Sequence, residues 1–219
     1  MLFSGGKDST LALLRAREMG HEPRYLATVH SANPESYMYH TPNIGLTVLQ
    51  SRALGIDLVS KESKGEKERE VEDLKRLLSG LDVEGVVSGA VASRYQKERI
   101  ERICSELGLE SITPLWGEDP ESLLKEMLSR GMKIMVTAVC AEGLGPSWLG
   151  RILDEDAVLE LVDLGRRNGI HLTGEGGEFE TAVLDCPAFR MRIRILESEK
   201  VWKGDSGFLA VRDAVLEEK

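Results

Sequence analysis

The sequence of 219 residues sets 28 Lys and Arg against 37 Asp and Glu, a formal net charge of -9. Such a charge repels a polyphosphate backbone and, with no local cluster of basic residues, argues against nucleic acid as a partner. No apolar run approaches the roughly 18 to 20 residues a membrane span needs, and no signal-peptide pattern opens the chain. Three cysteines, Cys104, Cys140 and Cys186, odd in number and without a close pair, argue against a disulfide framework or a thiolate zinc site and point to a reducing, cytoplasmic compartment. The length suits one main domain and a smaller second one.

In chain order, three apolar residues lead straight into Ser4-Gly5-Gly6-Lys7-Asp8-Ser9-Thr10. A glycine pair directly after a strand lets the backbone turn sharply and aim several N–H groups at one point, and a helix beginning at Ser9 or Thr10 adds its positive end. Such a turn holds an anion. Lys7 adds a point charge for phosphate and Ser4 and Ser9 add hydroxyl donors. Asp8 repels the phosphate unless a divalent cation sits between them, so the loop predicts Mg²⁺ as well. Lys7 and Asp8 are expected to face a solvent-filled anion site. The spacing matches neither G-x-x-x-x-G-K-[ST] nor G-x-G-x-x-G, so neither γ-phosphate transfer nor dinucleotide binding is indicated. The competing reading is an ordinary glycine turn with Asp8 or Ser9 as helix N-cap.

Further along, residues 25–29, 85–87 and 111–113 read as buried strands separated by amphipathic segments. Val71, Leu74, Leu77 and Leu78 share one face of a helix over residues 66–81, and Ile100, Ile103 and Leu107 repeat the pattern one unit later. That alternation predicts a doubly wound parallel sheet. After "PLWGEDPES" come a helix ending at Arg130, a strand over residues 134–139, a helix through "LDEDAVLELVDLGRR" and a β-leaning tail, a smaller α+β unit. The boundary falls near Trp116, giving units of residues 1–116 and 117–219. His30 and Gly89 lie at strand ends on the carboxyl edge of the sheet, where open α/β folds bind ligands.

Ser4-Gly5-Gly6-Lys7-Asp8-Ser9 resembles the PP-loop of the N-type ATP pyrophosphatases. The resemblance implies a Rossmann-like sheet of the adenine nucleotide alpha-hydrolase type and a loop that cradles the pyrophosphate leaving ATP. "ESYMYHT" (35–41), "GAVASRYQKERIE" (89–101), "SWLGRILDE" (147–155) and "GEGGEFET" (174–181) together resemble the diphthine ammonia ligase family, in its archaeal type without added C-terminal domains. This likeness covers nearly the whole chain. It implies ATP-dependent amidation, with ammonia, of the carboxylate of diphthine, a modified histidine on translation elongation factor 2. The reaction runs through an acyl-adenylate and releases AMP and pyrophosphate, as the last step of diphthamide synthesis. The first strand, Met1 to Phe3, is shorter than is usual among the ATP pyrophosphatases.

On that resemblance the ATP-binding residues are Ser4, Gly5, Gly6, Lys7, Asp8, Ser9, His30, Gly89, Ser93 and Gln96, with Asp8 as metal ligand. Without it, Ser93 is equally well the N-cap of its helix and His30 a polar residue at a strand end. The catalytic set is Lys7, Asp8, Glu175, Glu178 and Glu180. The three glutamates oppose a phosphate but suit a cation, whether the quaternary ammonium of diphthine or ammonium, or serve as general base. Their plain counterpart is a solvated acidic turn. Tyr39, His40, Trp148, Arg151 and Glu178 are candidates for holding the acceptor. His40 either moves a proton or packs, Trp148 is a core residue or a cation contact, and Arg151 neutralises the adenylate or pairs with Asp154. All three cysteines read as structural, which with the acidic charge counts against tRNA thiolation. Two other functions stay open: a PP-loop enzyme adenylating another acceptor such as tRNA or a small carboxylate, and a non-catalytic adenine-nucleotide sensor.

Overall fold

The computed structural model describes residues 1–31, 43, 45–63 and 67–219; Tyr39 and His40 lie outside the described residues, as does the side chain of His30. The protein is a mixed α/β structure with six α-helices among the described residues. Residues 1–3 are the seam of its N-terminal half. β1 (Tyr25–Ser31) pairs in parallel with β2 (Asp57–Ser63), and β3 (Gly85–Val87) pairs in parallel with β4 (Glu110–Ile112). Between the two pairs Leu2 bridges Ala27, the Phe3 N–H donates to the Ala27 carbonyl at 2.9 Å, and the Leu2 N–H donates to the Val87 carbonyl at 2.8 Å. A segment hydrogen-bonded on both sides needs little length of its own, because its neighbours complete the backbone pairing.

Alternation along the strands sends neighbouring side chains to opposite faces. Leu26 and Val87 join one core cluster with Leu11, Leu13 and Leu14 of α1 (Lys7–Glu18) and Leu54 of α2 (Leu46–Leu54). Ala27 and Val86 join a second cluster with Val71, Leu74 and Leu78 of α3 (Lys67–Ser79) and Ile100, Ile103 and Cys104 of α4 (Arg94–Leu107). Helices thus cover both faces of the parallel strands.

In the C-terminal half β5 (Lys133–Val139), β6 (Phe179–Asp185), β7 (Arg192–Lys203) and β8 (Ser206–Glu217) form an antiparallel sheet in the order β6-β5-β8-β7. α5 (Pro120–Ser129) starts on Asp119 and α6 (Glu155–Asn168) on Asp154. Each aspartate accepts the N–H three residues on at 2.8 Å, which satisfies a donor the helix leaves open. The larger core cluster runs through both halves: Phe3, Leu11 and Ile112 share it with Leu123, Ile134, Val183 and Leu209. No helix among the described residues is long and apolar enough to cross a membrane.

α1 begins two or three residues before the expected Ser9 or Thr10. Its N-cap is Gly6, so Asp8 and Ser9 are first-turn residues and neither is the cap. The glycine turn completes itself in two residues, and Asp8 near the helix start is favoured by the dipole.

Candidate active site

The glycine turn sits at the carboxyl end of the 1–3 segment, and β6 of the other half holds it in place. Gly5 has φ +77, a left-handed conformation, and a Cβ there would stand 2.1 Å from Gln50 Oε1. Only glycine fits. The Val183 N–H donates to the Gly5 carbonyl at 2.9 Å, and the Lys7 N–H donates to Thr181 Oγ1 at 3.2 Å. Ser4 Oγ accepts the Gly6 N–H at 3.3 Å and lies 3.2 Å from Ser9 Oγ, which donates to the Gly6 carbonyl at 3.1 Å. The two serines therefore line the turn from inside.

Lys7 differs from the solvent-facing expectation. It is only 2% exposed, and its Nζ donates to Asp8 Oδ2 at 2.7 Å and to the Thr173 carbonyl at 2.5 Å, 5.1 Å from the centroid of the Phe179 ring. The reason is packing: β6 and the segment before it close over the first turn of α1 and draw the ammonium inward. Asp8 Oδ1 is buried and has no hydrogen-bond partner among the described residues. A carboxylate oxygen without a donor is an open ligand position for a hard cation. Among the described residues no group of three or more His, Cys, Asp or Glu is arranged to hold a metal ion. A cation held by this one carboxylate oxygen would have to draw its other ligands from outside the protein, from phosphate and water oxygens.

Gly89 follows β3, as expected, but its open side faces α1. A Cβ would lie 2.8 Å from both the Asp8 carbonyl carbon and the Ser9 nitrogen. Glycine at 89 lets the strand-to-helix turn abut the glycine turn, so a larger residue displaces that turn itself. Ser93 is the N-cap of α4, its Oγ accepting the Gln96 N–H at 3.4 Å, and Gln96 is half-buried beside it.

The glutamate loop is no solvated turn. It reaches the other half of the molecule. Both oxygens of Glu175 are occupied, Oε1 by the Val91 N–H at 2.7 Å and Oε2 by the Ala92 N–H at 2.6 Å. The catalytic part expected of Glu175 gives way to a structural one on that ground: a carboxylate bonded to two backbone amides holds the 91–92 turn. Glu178 is different. Its Oε1 accepts the His171 N–H at 3.0 Å, while Oε2 is buried with no partner among the described residues. Glu180 is half-buried on β6 opposite Ala138. The Cys140 N–H donates to the Glu178 carbonyl at 2.8 Å.

Of the remaining acceptor candidates, the two that are described, Trp148 and Arg151, pack against each other. Trp148 is 2% exposed in the core, with the Arg151 guanidinium stacked 4.4 Å from its ring, and Arg151 pairs with Glu160 at 2.5 Å, not with Asp154. A buried indole has no surface to offer an acceptor, which corrects that expectation. Asp154 is already engaged as the α6 cap. Cys104 and Cys186 are buried and burial pushes both thiols up, as suits structural residues, whereas Cys140 is exposed.

Sequence reading gave no part to Gln50, Thr173 and Thr181, all of which touch the glycine turn or Lys7. Thr181 is the last residue of "GEGGEFET" and Thr173 stands directly before that motif, so the motif held the one without a role and stopped one residue short of the other. Nothing local marks Gln50.

Compared with known proteins, residues 1–111 match the model of the diphthamide synthase N-terminal domain and residues 119–216 that of the diphthamide synthase C-terminal domain. The chain belongs to the diphthamide synthase family. A diphthine–ammonia ligase of Danio rerio is 38% identical over 232 residues, 96% of this chain and 91% of that protein. Its Homo sapiens counterpart is 35% identical over 96% of this chain and 87% of its own length. The Schizosaccharomyces pombe ligase, 34% identical, aligns with 98% of this chain but over only 39% of itself. A solved structure described as a predicted subunit of tRNA methyltransferase from Methanocaldococcus jannaschii is 17% identical, with a TM-score of 0.45 over 85% of this chain and 95% of that one. Within the diphthamide synthase family the glycine turn and the glutamate loop thus fall one in each domain.

Proposed function

We propose that this protein is an ATP-dependent amide ligase that converts diphthine to diphthamide with ammonia, releasing AMP and pyrophosphate. One observation carries the reading: the glycine turn at Ser4 to Ser9 and the glutamate loop at 174–180, on different halves of the chain, are bonded together through Lys7, Thr173 and Thr181. An anion cradle is thereby set against carboxylates, as a reaction joining a polyphosphate leaving group to a cationic acceptor requires. The relatives named diphthine–ammonia ligase support the acceptor class.

In this reading residues 1–116 form a Rossmann-like, doubly wound nucleotide unit and residues 117–219 the unit that completes the site. ATP lies along the edge that carries Ser4 to Ser9, His30, Gly89, Ser93 and Gln96. The acceptor carboxylate attacks the α-phosphorus and the pyrophosphate departs onto the N–H groups of the glycine turn, with Lys7 adding charge and the Ser4 and Ser9 hydroxyls adding donors. Ammonia then attacks the acyl carbon of the adenylate and AMP leaves. Glu178 Oε2 takes the proton that nitrogen loses, and Glu180 adds negative charge toward the cationic acceptor. Mg²⁺, held by Asp8 Oδ1, would neutralise charge on the leaving group. Tyr39 and His40 remain acceptor candidates. The protein substrate is the diphthine-bearing elongation factor, and the compartment is the cytoplasm.

The test is to supply purified protein with ATP, Mg²⁺, ammonium and the modified elongation factor. AMP, pyrophosphate and amide should form in equal amounts, and none without the modified factor. AMP formed with tRNA in place of that factor would assign a different acceptor. ATP binding with no turnover under any of these conditions would make the protein a nucleotide sensor.

A further inference from the structure

We infer that Gln50 is a positioning residue for the phosphate turn. Gln50 lies on α2 with 0% exposure, and its Nε2 donates at once to the Gly5 carbonyl at 2.7 Å and the Val183 carbonyl at 2.9 Å. A single side-chain amide thus ties the glycine turn to β6. The orientation of that amide is set chemically, because the flipped form would place three oxygens together with no proton between them. Its Oε1 pays no part in any hydrogen bond among the described residues, and it stands where a Gly5 side chain would be.

An unpartnered oxygen in a buried site is a standing cost, so the two bonds made by the other end must compensate for it. Their geometry says what they do. The Gly5 carbonyl accepts from both Gln50 and the Val183 N–H, which fixes the peptide between Gly5 and Gly6 and hence the direction of the N–H groups that follow. Gly5 at φ +77 and Gln50 in contact with it are one device: the left-handed turn opens the space that the amide fills. α2 therefore acts on the turn without approaching a ligand. This inference rests on the reading of the turn as the pyrophosphate cradle, and a misplacement of about 1 Å in such a cradle is enough to cost roughly a hundredfold in rate.

The variant is Gln50→Leu, close in size and unable to donate. Binding of inorganic pyrophosphate and of AMP is measured by calorimetry, well below the unfolding temperature, beside amide hydrogen exchange of residues 5–9. Pyrophosphate affinity should fall roughly tenfold or more, as expected once the turn holds its binding geometry only about a tenth of the time. AMP affinity should stay near that of wild type, and exchange should quicken at residues 5–9. A merely structural role would lower the unfolding temperature yet leave the ligand affinities of the folded protein unchanged. That result, or equal losses for AMP and pyrophosphate, would overturn the inference. If Gln50→Leu does not fold, Gln50→Glu keeps the shape. Its carboxylate should weaken pyrophosphate binding most above the usual carboxylate range and recover in part, relative to wild type at the same pH, where the protonated acid regains a donor. Failure of the wild type to bind pyrophosphate would sink the reading of the turn instead. The exchange measurement would then still judge the clamp: quicker exchange confined to residues 5–9 supports it, and unchanged exchange overturns it.

Discussion

A methyl group on Gly5 has two things against it, a backbone at φ +77 and the Gln50 amide 2.1 Å away. Gly5→Ala should therefore cost about 1–3 kcal/mol of stability by chemical denaturation, the range for a strained backbone position, and should abolish ATP binding with it. For Lys7 the burial matters to the choice of variant. Lys7→Met keeps the volume of the stem and removes only the charge, so a fall in amidation of about 10²- to 10³-fold with an intact fold tests its part in the leaving-group cradle. Two glutamates separate by their partners. Glu178→Gln should lower amidation steeply while ATP affinity holds. Glu175→Gln should weaken ATP affinity, because one of the two amides of the 91–92 turn then faces an NH₂ group. Equal effects of both variants on ATP affinity would remove the distinction. At this scale the chain disclosed the loop and its chemistry, since glycines, lysine and hydroxyls act within a few residues. It did not disclose that Lys7 points inward or that Glu175 is already spoken for, because the groups that decide both lie more than 80 residues away.

Between elements, α1 and α5 are joined by charge. Glu126 accepts from Arg15 at 3.2 and 2.5 Å and from Arg130 at 2.8 Å, and Arg130 reaches on to Glu18 at 2.5 Å. The Arg15 hydrogen bond, ahead of the Arg130 contact, holds the Glu126 carboxyl below its ordinary range. A carboxyl lowered on folding contributes stability above its unfolded pKa and loses it as pH falls through the folded value. Glu126→Gln should thus be less stable than wild type at pH 7, and the gap should close below about pH 4. A gap that stays constant with pH would mean that shape, not charge, joins the helices. The elements themselves were mostly legible. β3 matches its expected residues, β1, β4 and β5 lie within a residue or two of theirs, and α3 and α4 carry the apolar stripes that mark them. α2 and β2 were not singled out, and β2 shows why. Its sequence DLVSKES buries only the final Ser63, so it has neither a continuous apolar run nor a clean alternation.

For the whole molecule, one core spans both halves. Leu115 and Leu11, fully buried, belong to the same cluster as Ile134 and Val183, so a fragment of residues 1–116 leaves that apolar face uncovered. The fragment should lack a cooperative thermal transition and should not bind pyrophosphate, as calorimetry will show. A folded fragment that binds normally would mean that β6 is dispensable to the turn. The sequence by itself determined that this is an alternating α/β chain with a phosphate-type turn at its start and a glutamate-rich glycine loop near its end. Those features depend on period, turn chemistry and residue type within short windows, and such local preferences need no partner to be read. Only the tertiary structure decided that the two loops meet, that Gln50 stands behind the first and Glu175 behind the 91–92 turn, and that Trp148 is walled into the core. Each of these depends on hydrogen bonds and packing between residues far apart in the chain, and no local propensity carries information about a partner it meets only when the chain has folded.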